Sequence, residues 1–415
     1  MVKASIVEKE EIIKKQYNTK ASNKILFLDS PSFAKEDMKE AFKEYGFEIE
    51  EFYQDSVYNR EDVSFDCWFH ELLKGKEYAF VFSFNYYPAL SKGCNEMGIR
   101  YLSYVYDNPH VALYSTTILN PCNYVFLFDK ATYLELKQGG IDTVYYLPLA
   151  VNVKRLDRLV VPEQAVDRVS AEVSFVGSMY DEGHNLFDRM TGLDDYAKGY
   201  LDALMDAQMR VQGYSFVEEI LTPEILTAMQ KKLPYAPQPD GVESLSYFYS
   251  QYVIDRKLTS LERKQLLTKI SERFPLKLYT HNQPKDMPKA QYIGAIDWEE
   301  SMPAVFRYSK INLNISLRSI RSGIPLRAFD IMGAGGFLLT NYQADFFDYF
   351  VAGEDFVYYE SEEDMLCKID YYLNHEEERG RIARNGHDKV KQHHTFWHRV
   401  GDMLDIINPA SSLTR

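Results

Sequence analysis

Three arginines and a single aspartate punctuate the apolar stretch at residues 318–336, "RSIRSGIPLRAFDIMGAGG". Pro325 suits the first turn of a helix, where no backbone N–H is required. The loop before it leads into the helix N-terminus, where free N–H groups and the helix dipole favour an anion. Gly323 permits close backbone approach, Ser322 stands beside it, and Arg318, Arg321 and Arg327 carry guanidinium groups that match phosphate geometry. Asp330, about one and a half turns into the helix, is placed to accept hydrogen bonds from two neighbouring hydroxyls, as on a ribose. The same spacing is met by an Arg327–Asp330 i,i+3 ion pair on a solvated face, and spacing alone leaves both readings open. Neither a G-x-x-x-x-G-K-[ST] run nor a G-x-G-x-x-G after the first strand is present.

A second constellation is "YVYDNPH", residues 104–110. Asp107 there can act as a general base or hold a substrate hydroxyl, with His110 three residues on; an Asp-Asn-Pro turn closing a loop fits equally. Ser30 and Ser32 after the first apolar run, and Asn85 in "FSFNYYP", are weaker candidates for acceptor contacts. Other polar groups carry less. Asp194–Asp195 lacks D-x-D spacing, "HEEERGR" reads as a solvated helix face, and His393, His394 and His398 have no accompanying ligand set. The four cysteines, Cys67, Cys94, Cys122 and Cys367, show neither metal spacing nor a disulfide framework, so reduced thiols in a cytoplasmic protein and no bound metal are expected.

These residues need strand ends to hold them. "KILFLDSPS" reads as a strand and "FAKEDMKEAFKEYG" as an amphipathic helix. "YAFVFSFNYYP", "IRYLSYVYDNP", "YVFLFDK" and "TVYYLPLAV" continue the strands, with helices between them. Near-continuous apolar strands alternating with helices predict a parallel sheet covered on both faces. A second series starts at "AEVSFVGSMYDEG" and resumes with "PLKLYT", "AQYIGAI", "SKINLNIS", "GGFLLTN" and "EDFVYY", around a helical stretch over about residues 186–274. In that stretch Thr222-Pro223 reads as an N-cap with proline at the first helical position, and Thr259 to Glu262 as a capping box. The expected organisation is an α/β chain of two doubly wound domains. Residues 1–155 form the first and 165–390 the second, with a helical insertion in the second, while 391–415 is a C-terminal helix returning to the first. Ligands in such sheets bind beyond the carboxyl ends of the strands.

Composition narrows the partners. The chain of 415 residues is 46% hydrophobic and 14% aromatic, enough for developed cores. A formal charge of −14 disfavours nucleic acid and anionic membranes. The 32 tyrosines offer flat rings with a polar tip, which suit sugars as well as cores. The first residues, "MVKASIVEKEEIIKKQ", are charged throughout, so no signal peptide is expected, and no window reads as membrane-spanning.

The run from "SKINLNISLRSIRSGIPLRAFDIMGAGG" to "HHTFWHRV", with "NYYPALSKGCNEMGIRYLSYVYDNP", "NYVFLFDKATYLELKQGGIDTVYYLPLAVN" and "SFVGSMY" before it, resembles GT-B glycosyltransferases. The resemblance is nearest to the group around the spore-maturation protein CgeB. It implies sugar transfer without metal from a nucleoside diphosphate donor, most commonly UDP-linked, to a glycan, protein or small-molecule acceptor, as on cell envelopes or spores. It places the donor in the second domain, with the base against Gly294 in "YIGAI" and Thr280 in "LYTHN". Retaining relatives often carry Glu, seven residues, then Glu; here Ser322 and Asp330 occupy those places. Relatives often carry an arginine near "FVGSMY", where Gly177 is followed by Ser178, so Arg327 or Arg318 would balance the diphosphate instead. A sugar-nucleotide epimerase of the same fold and a catalytically weak sugar-nucleotide-binding scaffold remain alternatives.

Overall fold

The computed structural model describes residues 22–181, 185–284 and 287–408. The charged first residues, read above as no signal peptide, lie outside them. Twelve named strands form two six-stranded parallel sheets. The first runs in the order β2-β1-β3-β4-β5-β6, with β1 Lys24–Leu28, β2 Glu48–Phe52, β3 Phe80–Phe84, β4 Tyr101–Val105, β5 Asn123–Leu127 and β6 Val144–Tyr146. The second runs β12-β11-β10-β7-β8-β9, from β7 Val173–Val176, β8 Leu276–Tyr279 and β9 Gln291–Tyr292 to β10 Ile311–Asn314, β11 Leu338–Asn341 and β12 Val357–Tyr359. The chain is α/β, with the two doubly wound sheets of a GT-B fold.

The apolar runs became strands for the expected reason. Every residue of β3 and β4 is buried, as a strand covered on both faces requires. β2, "EIEEF", was not legible, because three acids break its apolar pattern. It survives at the sheet edge, where one side needs no partner strand. Glu51 pairs there with the buried Lys39 at 2.5 Å and Glu50 with Lys76 at 2.7 Å.

The chain divides into two compact units. One holds the described residues to Ala150, the segment Gln238–Val242 and the chain from Thr395; the other holds Val151–Pro237 and Glu243–His394. Gln238–Val242 belongs to the first because the Asp240 carbonyl accepts from the Thr116 N–H at 2.9 Å and its carboxylate pairs with the half-buried Arg60 at 3.3 Å. Within the first unit α1 (Lys35–Glu44) precedes β2. Two helices of the second, α2 (Asp195–Met209) and α3 (Pro223–Lys232), share a core with the start of α4 (Asp255–Arg273). Asp194 caps α2 by accepting from the Ala197 N–H, and Thr222 caps α3 with Pro223 at its first position. Thr259 is no cap: α4 is already running, and its hydroxyl donates to the Asp255 carbonyl at 2.7 Å. The second unit continues to α5 (Leu326–Gly333), N-capped rather than opened by Pro325 and two turns long.

The chain from Thr395 forms α6 (Phe396–Ile407), whose Trp397 stacks on Tyr45 beside α1 at 5.3 Å. Arg399 donates to the Pro148 carbonyl at 2.6 Å. The histidines here are structural: His398 closes the capping box of α6, and the buried His394 stacks on Phe350 at 5.1 Å. Among the described residues, no helix is long and apolar enough to cross a membrane.

Asp255 stands out where a π-helical turn, Tyr249–Ile254, runs into α4. It is fully buried, and among the described residues neither carboxylate oxygen has a hydrogen-bond partner. Burial pushes its pKa up to about 8, against the pull of Arg318 and Arg321, while Glu218 adds to the rise. An exposed aspartate ionises near its ordinary value of 3.8. Between there and about 8 the unfolded chain has released a proton that the folded chain keeps. Stability therefore falls with rising pH across that window, at up to about 1.4 kcal/mol per pH unit, and levels off above it. Asp255→Asn is expected to flatten this profile and raise Tm at pH 8 more than at pH 5, measured by thermal denaturation at both. Equal pH slopes in the two proteins would remove Asp255 as the cause.

Candidate functional site

In the first unit the chain leaves β1 for its two neighbours, β2 and β3, so the carboxyl ends of β1 and β3 flank a topological switch point. Asn85 follows β3 with φ 59°, a left-handed conformation unusual for a side-chain-bearing residue and concentrated at functional sites. That backbone is held by the Ser83 hydroxyl, which donates to the Asn85 carbonyl at 2.7 Å. The Asn85 side chain accepts from the N–H groups of Tyr106 and Asp107 at 2.9 and 3.0 Å, and donates to the Asp107 carboxylate at 2.9 Å. Asp107 itself is exposed. The structure thus joins two candidates that lie far apart in sequence and presents one carboxylate on a braced support.

His110 is placed differently. Its Nε2 lies 2.9 Å from the Tyr86 carbonyl and 3.1 Å from the Tyr86 N–H, so the ring is tied to backbone in either tautomer. Burial lowers its pKa, partly offset by the Tyr86 bond and Asp107. In this arrangement His110 braces the chain just after β3. Ser30 is buried and bonds the Tyr87 phenol, and Ser32 donates to the Ser30 carbonyl at 3.3 Å. Both shape the loop after β1.

In the second unit the switch point lies between β7 and β10. The turn after β7 contains Gly177, whose N–H donates to the Tyr279 carbonyl at 3.0 Å. A Cβ there would stand 3.3 Å from the Phe175 ring and 3.6 Å from an Arg263 nitrogen, so glycine admits the close approach. The Ser178 hydroxyl accepts from the Tyr180 N–H at 2.9 Å, and Tyr180 has φ 52°, a second left-handed residue at a strand end.

Arg263 of α4 ties this turn to the loop after β10. It is buried, donates to the Ser178 carbonyl at 2.5 Å and, from Nε, to the Ile315 carbonyl at 3.1 Å. Its guanidinium lies 4.9 Å from the Tyr180 ring centre, and Arg256 stands 6.0 Å from the same ring. No sequence signal marked Arg263. Arg327 of α5 belongs to the same neighbourhood: burial draws its pKa down, Asp330 opposes that, and Arg263 and Tyr180 act on it electrostatically. Positive charge from Arg263, Arg256 and Arg327 thus gathers at this strand-end crevice.

Arg327 and Asp330 do form the i,i+3 pair, at 3.7 Å, but on no solvated face: Asp330 is buried. Truncating Asp330 would therefore disturb folding as well as any ligand. Arg318 is held by protein groups. It pairs with the buried Glu262 through Nε and Nη2 at 2.8 and 2.7 Å, and Nη1 donates to the Val211 carbonyl at 2.9 Å. Those donors are committed to protein. Arg321 lies half-buried in the loop before α5, with Ser322 and Gly323 buried beside it. The Ser322 carbonyl accepts from the Asp345 N–H at 3.0 Å. Thr280, just past β8, is buried, and its hydroxyl has no hydrogen-bond partner among the described residues. Gly294 takes φ 102° just past β9, and Tyr292 bonds the His281 carbonyl at 3.0 Å, which binds the two loops together. Among the described residues, no group of three His, Cys, Asp or Glu is arranged to hold a metal.

This geometry meets the comparisons. Residues 260–405 match the protein-family model described as "Glycosyl transferase-like". That part of the chain is similar to the glycosyl transferase-like family. The matched region takes in most of α4 with Arg263, the loop after β10 and α5, but not the turn after β7 at Gly177. Among solved structures, Anabaena HepE in complex with UDP and glucose superimposes with a TM-score of 0.50 at 11% identity, over 94% of this chain and 99% of HepE. A UDP-forming α,α-trehalose-phosphate synthase from Burkholderia xenovorans gives 0.51 at 12% identity, over 94% and 99%. Sucrose-phosphate synthase from Thermosynechococcus elongatus gives 0.50 at 10%, over 93% and 99%. At such identities the likeness is one of fold. Comparison with curated proteins finds no match.

Proposed function

We propose that the protein transfers a sugar from a UDP-linked donor to a glycan, protein or small-molecule acceptor, without a metal ion and with retention of configuration. Its nearest kin would be the CgeB-like group, its compartment the cytoplasm and its product a cell-envelope or spore glycan. The observation that carries this reading is the β7/β10 crevice, where Arg263 clamps both loops and Arg327 and Arg256 share its neighbourhood. Departure of a sugar from its diphosphate builds negative charge on the leaving group. Fixed guanidinium groups and a helix N-terminus stabilise that charge without reorganising. UDP is the favoured nucleotide because HepE is described with UDP and the trehalose-phosphate synthase as UDP-forming.

Each side chain then has a role. Arg327 and Arg321 face the diphosphate, Asp330 accepts the ribose hydroxyls, and Gly177, Ser178 and Gly323 lend backbone. Thr280 and Gly294 border the base, to which the Thr280 hydroxyl, without a partner among the described residues, is available. Ser322 offers a hydroxyl where retaining relatives carry an acid. Asp107, aimed by Asn85, takes a proton from the acceptor or holds a donor-sugar hydroxyl; Ser30 and Ser32 line the acceptor side.

A thermal-shift panel of UDP, GDP, ADP and TDP tests the reading. UDP should give the largest rise, about 2.7 kcal/mol of stabilisation at 100 times its dissociation constant. The nearly isosteric Asp330→Asn should weaken UDP by about tenfold. No shift with any nucleotide would overturn the donor site, and unchanged affinity in Asp330→Asn would end the ribose role.

A further inference from the structure

The sheet edge that carries Asp107 also carries aromatic rings that the donor chemistry leaves unused. β2, β1, β3 and β4 are consecutive in the first sheet and parallel, so the loops after them emerge on one edge. Tyr58, in the short 3-10 turn Asp55–Tyr58 after β2, is 52% exposed. Phe33, after β1, is 65% exposed. Both rings thus stand open to solvent on the edge that carries Asp107.

The rings are joined to the site. Tyr58 meets Tyr87 edge to face at 5.6 Å between centroids, and Tyr87 is buried. Burial pushes the pKa of the Tyr87 phenol well above its ordinary value, its bond to Ser30 opposes the rise, and Asp107 adds to it electrostatically. Asn85, which bonds the exposed carboxylate of Asp107 at 2.9 Å, stands two residues before Tyr87, so that carboxylate and the Tyr58 ring belong to one strand-end edge. A fixed carboxylate beside a flat ring fits one chemical class. A pyranose offers C–H groups from one face to an aromatic ring while its edge hydroxyls donate to an acceptor such as Asp107.

We propose that Tyr58 is the stacking platform for the acceptor and that the acceptor is a pyranoside, whose ring lies on Tyr58 while one of its hydroxyls reaches Asp107. A peptide or a simple alcohol would use Asp107 but gain little from the platform. This rests on the sugar-transfer reading above, so the test separates the two.

Saturation-transfer NMR with a panel of methyl α- and β-pyranosides, on the full chain with and without UDP, reads sugar binding without needing turnover. At least one pyranoside should show saturation of its ring protons that vanishes in Tyr58→Ala and persists in Tyr58→Phe, which keeps the ring. In a UDP-glucose transfer assay the same pyranoside should be an acceptor, with its KM about tenfold higher in Tyr58→Ala and kcat retained. UDP-induced thermal shifts of both variants certify the fold. Wild-type binding of UDP with no pyranoside signal, or a signal that survives Tyr58→Ala, overturns the platform and leaves the transfer reading standing. A pyranoside signal that Tyr58→Ala abolishes, in a protein that binds no nucleotide, upholds the platform and overturns the transfer reading instead.

Discussion

Arg263→Ala is expected to destabilise the second unit by about 3 kcal/mol or more and to weaken nucleoside diphosphate binding by at least about tenfold. The stability loss follows from the two carbonyls it serves. Ser178 and Ile315 each accept from its guanidinium, and each would lose that buried partner. A buried acceptor so orphaned costs about 1–3 kcal/mol, because water cannot replace what was removed. The binding loss follows from position: the loops after β7 and β10 flank the switch point, and Arg263 sets their separation while adding positive charge beside Arg327. Arg263→Lys keeps a charge but not the planar fork, so it should recover part of the affinity and little of the stability. Chemical denaturation measures the first effect, and calorimetric titration with UDP at a temperature where the variant is folded measures the second. Undiminished UDP affinity in a folded Arg263→Ala protein would show that the crevice is not the donor site.

Asp107→Asn is the second large effect, on rate rather than stability. The carboxylate is exposed, so its neighbours lose little on substitution. An asparagine has the same shape and can still bond Asn85 through its own carbonyl. What it lacks is charge and basicity. Transfer is expected to fall by about 100-fold or more, the usual contribution of a positioned acid–base group, with UDP affinity held within about twofold. Steady-state transfer and titration calorimetry on one preparation check both halves. A retained kcat would leave Asp107 as a turn residue.

Much of the architecture was written in periodicity. The buried strands β3 and β4 are near-continuous apolar runs between helices, and β10 is buried together with its two asparagines. The cap at Thr222 and the place of α5 were legible for the same reason, since a few neighbouring residues decide each. β2 was not, because its glutamates are stabilised by lysines from other elements. Thr259 shows the converse error: a good cap signature was overruled by a helix already propagating through it.

The candidate site divides along the same line. Asp107, Asn85, Arg327 and Asp330 were recognisable by type and by their places at strand ends and a helix start. Their environments were not. The same arginine chemistry that singled out Arg318 also made it the best available partner for Glu262, 56 residues away. Arg263 sits 85 residues from Ser178 and 52 from Ile315, inside a helix rich in similar residues, so no spacing could announce it. By itself the sequence determined which strand ends carry polar chemistry, because side-chain type and hydrophobic period are local properties. Only the tertiary structure decided which charges remain for a ligand, because burial and long-range partners set the desolvation and pairing of every charged group.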